Sequence, residues 1–121
     1  MALKDPAGRT RIVLIVEDTD WIRSGMKQAA EQCGYQVAEA KDELEAVEFA
    51  EHQPPDLILT EERLPDFSAL VARLNEHPVL QQIPIVIIDP DAVEEGRVGD
   101  VFVLKDYDRI APFLITPPDR N

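Results

Sequence analysis

Acidic side chains recur in this sequence directly after short apolar runs, with a Lys and an Arg among them. RIVLIV (11–16) leads into Glu17 and Asp18. DLILT (56–60) leads into Glu61, Glu62 and Arg63, IPIVII (83–88) into Asp89 and Asp91, and VFVL (101–104) into Lys105 and Asp106. Carboxylates gathered in one place repel unless a proton or a cation intervenes. Such a set therefore holds Mg²⁺, which takes a few carboxylates and keeps several waters, or closes on an internal cation. Arg63 and Lys105 are the candidates for the internal one. Any single acid is explained well enough by solvent at a strand end. Two acids at one strand end and a Lys at another, sharing a rim, need a stronger reason.

The elements that would build such a rim are legible. The four apolar runs are short and β-branched, as buried strands are, and YQVAEA (35–40) alternates like a fifth. Between the first two strands, Asp20 is expected to cap a helix with Ile22, Met26, Ala29, Ala30 and Cys33 on its apolar face and Gly34 after its end. Asp42 is expected to cap the next helix, with Leu44, Val47, Phe49 and Ala50 inward. Pro54-Pro55 stop it, since Pro cannot continue a helix and restricts the residue before it. A third helix is expected from Phe67 to Asn75, with Leu70, Val71 and Leu74 inward. Strands alternating with helices predict a parallel sheet with helices on both faces. Ligands bind such sheets beyond the carboxyl ends of the strands.

The second half is thinner. DPDAVEEGRVGD (89–100) leaves room for little more than one helical turn, and a short last helix would start at Asp108 and end at Pro117. Residues 1–10 read as a disordered N-terminal tail, 11–115 as one domain and 116–121 as a Pro-rich C-terminal tail.

Composition excludes several classes. The 121 residues carry a formal net charge of -12, which argues against direct nucleic-acid binding and against docking on anionic lipid. A single Cys forbids an intramolecular disulfide, no apolar run reaches membrane-span length, and the N-terminus lacks a signal-peptide core. A cytoplasmic protein is expected. There is no GxxxxGK[ST] and no GxGxxG, Gly96 and Gly99 do not follow a strand in the required register, and no Ser/His/Asp or Cys/His set is visible. His52 and His77 fall near predicted helix C-termini, where partial positive charge is favourable, and Cys33 reads as a core residue. No enzyme activity is expected.

The blocks RIVLIVED with Arg23, GYQVAEAKDELEAV, PDLILTEERLP, IPIVII and VFVLKDYD run in one order from residue 11 to about residue 110. This ordered set resembles the receiver domain of bacterial response regulators, the CheY-like fold. The resemblance implies a three-layer α/β, flavodoxin-like fold with a five-stranded parallel sheet of order 2-1-3-4-5, here with the fourth and fifth helices shortened. In that family an Asp after the third strand takes a phosphoryl group from a histidine kinase, beside an acid pair that holds Mg²⁺. A Thr or Ser and a Lys contact the phosphoryl oxygens, and an aromatic on the last strand reports the switch. Glu17 and Asp18 match the acid pair, Lys105 the Lys and Phe102 the aromatic. Glu61, however, occupies the acceptor position, Asp89 the Thr/Ser position, and Arg63 the position whose carbonyl helps bind the metal. Asp106 replaces the usual Pro.

These departures bear on the chemistry. Glu61 adds a methylene where in-line transfer depends on positioning. An ionised Asp89 can only accept hydrogen bonds; it repels a phosphoryl group and is able to pair with Lys105. Arg63, folded back, would bridge Glu17, Asp18 or Glu61 in place of a metal. The expectation is a pseudo-receiver of two-component or phosphorelay signalling with no cofactor, working by protein–protein contact independently of phosphorylation. One variant has Glu61 mimic a phosphate by reaching Lys105. The alternatives are a receiver phosphorylated at Glu61, or at Glu62, with Mg²⁺ on Glu17 and Asp18, and a small-ligand or enzymatic flavodoxin-like domain. The implied partner is another signalling protein or a second copy, a homodimer, on the fourth-helix, fifth-strand and fifth-helix face. There VFVL risks lying uncovered at the sheet edge. Trp21, near the start of the first helix, is weighed equally as interface anchor and as core.

Overall fold

The computed structural model describes residues 8, 10–61, 67–89, 91–92, 95–98 and 101–105. The strands are β1 (Ile12–Val16), β2 (Gln36–Ala40), β3 (Leu57–Glu61), β4 (Ile85–Ile88), β5 (Gly96–Val98) and β6 (Val101–Leu104), and the α-helices are α1 (Asp20–Gln32), α2 (Glu43–His52) and α3 (Phe67–Asn75). They form one sheet of order β2-β1-β3-β4-β6-β5. The five expected strands are parallel and stand in the expected order. The expected N-terminal tail apart from Gly8 and Thr10, the expected C-terminal tail, the fifth helix, and Glu62, Arg63, Pro65, Pro90 and Asp106 lie outside the described residues.

The core is two apolar layers, one on each sheet face, because successive strand residues point to opposite sides. Leu14, Val16, Ile58, Ile85 and Ile87 pack under Ala46, Val47 and Ala50 of α2 and Leu70 and Leu74 of α3. Val13, Ile15, Leu57, Leu59, Val86, Ile88 and Leu104 pack with Tyr35 under Met26 and Ala30 of α1. Each large aliphatic side chain so enclosed contributes about 1.5–3 kcal/mol of transfer free energy. That is why β1, β3 and β4 carry apolar residues without alternation.

Four expectations need correction. The connection between β4 and β6 contains β5, paired antiparallel with β6 in the register Gly96↔Val103, Arg97↔Phe102, Val98↔Val101. The sheet therefore has six strands, and the edge of VFVL is covered by this chain itself. Two residues separate the paired Val98 and Val101, and they are Gly-Asp, a short-hairpin dipeptide. At α1 the N-cap is Thr19, and Asp20 is the first helical residue. Leu44 of α2 is 55% exposed, and Ala46 takes the inward place. Trp21 is not core: it is 76% exposed.

The other local signals hold. Asp42 accepts the Glu45 N–H at 2.9 Å, and Glu45 in turn accepts the Lys41 N–H at 2.8 Å, so both ends of the α2 entry turn are satisfied. Gly34 sits at φ 90° after α1, the left-handed conformation that glycine tolerates. His52 closes α2 with Nδ1 2.8 Å from the Glu48 carbonyl. Among the described residues no helix is long and apolar enough to cross a membrane.

Candidate functional site

Strand register brings the predicted residues to one rim. Val16 pairs with Thr60, so Glu17 follows β1 at the level where Glu61 closes β3. Glu61 pairs with Ile88, which places Asp89 one residue further along the same end. Ile88 pairs with Leu104, and Asp89 donates its N–H to the Leu104 carbonyl at 2.8 Å, so Lys105 emerges beside Asp89. Glu61 is described through its main chain alone, and Arg63 lies outside the described residues.

The acid pair is not symmetric. Glu17 is buried, 2% exposed, and one carboxylate oxygen accepts the Thr19 N–H at 3.0 Å. Its own N–H donates to the Ala40 carbonyl at 3.0 Å, pinning the turn to the end of β2. Asp18 is exposed and accepts from the Thr19 hydroxyl at 3.3 Å. Glu17 is thus built into the loop, and Asp18 presents its carboxylate to solvent.

A cation beside this rim is Arg23, which sequence reading did not assign to the site. Its guanidinium donates to the Glu17 carbonyl at 2.8 Å, pairs with Asp20 one helical turn back, and meets Glu39 of β2 at 3.3 Å. Lys27 approaches the same Glu39 at 3.7 Å. The hydrogen bond and charge of Asp20, with those of Glu39, hold the Arg23 guanidinium above its ordinary value. The local part of this cluster, Arg23 three residues after Asp20 on a predicted helix, was visible as an i,i+3 pair. The link to Glu39 is tertiary.

Asp89 and Lys105 are neighbours without pairing. The Asp89 carboxylate accepts the Asp91 N–H at 2.9 Å, and the Asp89 carbonyl accepts the Ala92 N–H at 3.1 Å, which closes the turn after β4. Lys105 is exposed, and its N–H donates to Glu95 at 2.9 Å. The expected Asp89–Lys105 ion pair does not form between these described residues. Phe102 is partly buried against the α1-side core, with the Arg97 guanidinium 4.7 Å from its ring centroid.

A parallel sheet of this order, an acid pair after the first strand and a Lys after the last parallel strand define a receiver-type signalling domain. The model of the response regulator receiver domain matches residues 13–99, and the chain belongs to this family. It is a receiver of two-component signalling, a system in which such domains interact with other signalling proteins. It is 38% identical over 115 residues to the two-component response regulator-like APRR5 of Arabidopsis thaliana, covering 90% of this chain and 19% of that one, so it spans about a fifth of that relative. It is 31% identical over 93 residues to the polar-differentiation response regulator DivK of Brucella ovis, covering 74% of this chain and 76% of that protein. The receiver domain of sensor histidine kinase PA1611 from Pseudomonas aeruginosa PAO1 superposes with a TM-score of 0.64 at 27% identity, over 69% of this chain and 70% of that one.

The PA1611 domain has a magnesium ion coordinated in its active-site cleft. In the present chain, no three His, Cys, Asp or Glu residues among those described converge on a metal position. Glu17 directs an oxygen to Thr19, and Asp18 faces solvent. Glu61, the third carboxylate of the expected acidic pocket, is described by its main chain alone.

Proposed function

We propose that this chain is a receiver whose signalling does not run through phosphoryl transfer and which acts by contact with another signalling protein. The observation that carries this reading is Asp89. It is a carboxylate at the position where the resemblance puts a hydroxyl, and it is occupied in holding the turn after β4 through Asp91. An ionised carboxylate there accepts hydrogen bonds and repels a phosphoryl oxygen, where a hydroxyl would donate. Glu61 at the acceptor position supports the same reading. So does the description of the Arabidopsis relative as response regulator-like. On this reading the chain has no catalysis of its own, and Arg23 anchors the turn that carries the acid pair through the Glu17 carbonyl. The contact surface is the side-chain face of β6 and the chain after it. Edge pairing of β6 with a second copy is replaced by β5.

The second reading, phosphorylation at Glu61 with Mg²⁺, is favoured by Glu17, Asp18 and Lys105 standing on one rim. Incubation with a small-molecule phosphodonor and Mg²⁺ followed by intact mass measurement separates the two. The expected result is an unchanged mass. A stoichiometric, acid-labile gain of one phosphoryl group overturns the proposal and establishes the second reading.

A further inference from the structure

The short strand β5 does more than fill the edge of the sheet. A three-residue strand pairs too little backbone to hold itself in place, and two side-chain contacts supplement it. The Arg97 guanidinium lies 4.7 Å from the centroid of the Phe102 ring directly opposite in the ladder. Glu95, just before β5, accepts the main-chain N–H of Lys105, just after β6, at 2.9 Å. The two contacts bracket the strand pair. One fixes an aromatic ring partly buried against the α1-side core, and the other fixes the main chain of the Lys that reaches the acidic rim.

We propose that Glu95–Val98 is a built-in clamp which holds Phe102 and the Lys105 main chain in one arrangement, so that this edge of the sheet does not respond to events at the rim. Arg97 and Glu95 are its positioning residues. Arg97 suits the task because a guanidinium stacks flat on a ring and is weakly hydrated. Glu95 suits it because a carboxylate takes an N–H that would otherwise end the ladder unpaired. The clamp rests on contacts within β5, β6 and their flanks, and it stands whether or not Glu61 takes a phosphoryl group.

Amide hydrogen exchange, read residue by residue with β1 as internal control, tests it. In the wild-type protein the Val101–Lys105 amides should exchange at the same rates with and without Mg²⁺ and a phosphodonor. Intact mass of the same sample reports phosphorylation separately, so failure of the clamp and failure of the proposed function are told apart. Arg97→Gln should speed exchange in β6 about two- to fivefold, the size of an exposed cation–π contact, while Val13–Val16 stay unchanged. Arg97→Lys, which keeps the charge but not the planar stack, should restore only part of the protection. Glu95→Ala should speed exchange at Lys105 above all, and it decides the matter if Arg97→Gln accelerates β1 as well. Wild-type β6 rates that change with the phosphodonor overturn the clamp, as do unchanged β6 rates in both Arg97→Gln and Glu95→Ala.

Discussion

The Arg23 guanidinium donates to the main-chain carbonyl of Glu17 across 2.8 Å. A side chain on the first helix thereby holds the turn that carries the acid pair, and the same group reaches Asp20 and Glu39. Removing it leaves a carbonyl at the rim without its charged donor. Arg23→Ala should lower stability by about 1 kcal/mol, since the carboxylate partners keep much of their hydration. Arg23→Lys should recover little, because one ammonium cannot span three acceptors laid out for a planar fork. Urea unfolding of the three proteins measures this, and equal midpoints for wild type and Arg23→Ala would remove Arg23 from the site.

Asp89 offers a sharper contrast between shape and charge. Its side-chain oxygen accepts the Asp91 N–H at 2.9 Å, a bond that an amide oxygen makes as well. Asp89→Asn should therefore leave stability within about 0.5 kcal/mol, whereas Asp89→Ala should cost about 1 kcal/mol. Chemical denaturation of both variants checks the order. Equal losses would mean that the charge, not the turn, accounts for this Asp.

The parts legible in the sequence were those decided locally or by burial on both faces. IVLIV, LILT and IVII are strands because they lie inside the sheet, and such strands have no polar face to hide. Asp42 was readable because a cap acts within four residues. Leu44 was misread because hydrophobicity favours Leu over Ala. Beside the expected Val47 and Ala50, the inward place went to Ala46, which allows close approach to the sheet and carries a weak apolar signal. β5 is too short for any periodicity; its one local sign was Gly-Asp between Val98 and Val101. In the site, the residues past the strand ends followed from parallel register alone. Arg23 did not, because its reach to Glu39 spans sixteen residues and two elements.

Trp21 is the one Trp of the chain and is 76% exposed. Its fluorescence should emit as a hydrated indole and be fully open to acrylamide quenching. Trp21→Ala should change stability by no more than about 0.5 kcal/mol, as surface substitutions do. A blue-shifted, quencher-resistant emission in the isolated chain would show that this surface is covered.

Tyr35 lies just before β2, is 4% exposed and packs in the α1-side core. Burial raises its phenol pKa above the ordinary value of 10.0; Arg11 pulls the other way, and Asp56 and Cys33 add to the rise. A raised folded-state value means that the folded chain holds this proton more tightly than the unfolded chain does. The contribution is complete below the unfolded value, where both states are protonated. As pH climbs through about 10 the unfolded phenol ionises first, and stability falls until the folded phenol follows. Tyr35→Phe cannot ionise and should lack this part of the alkaline loss, while Tyr107 remains in both proteins. Denaturant midpoints of wild type and Tyr35→Phe, compared from about pH 8 to about pH 11, should shift relative to one another, with wild type declining more steeply. A constant difference across that range would mean that the Tyr35 hydroxyl reaches solvent or a stronger partner in solution.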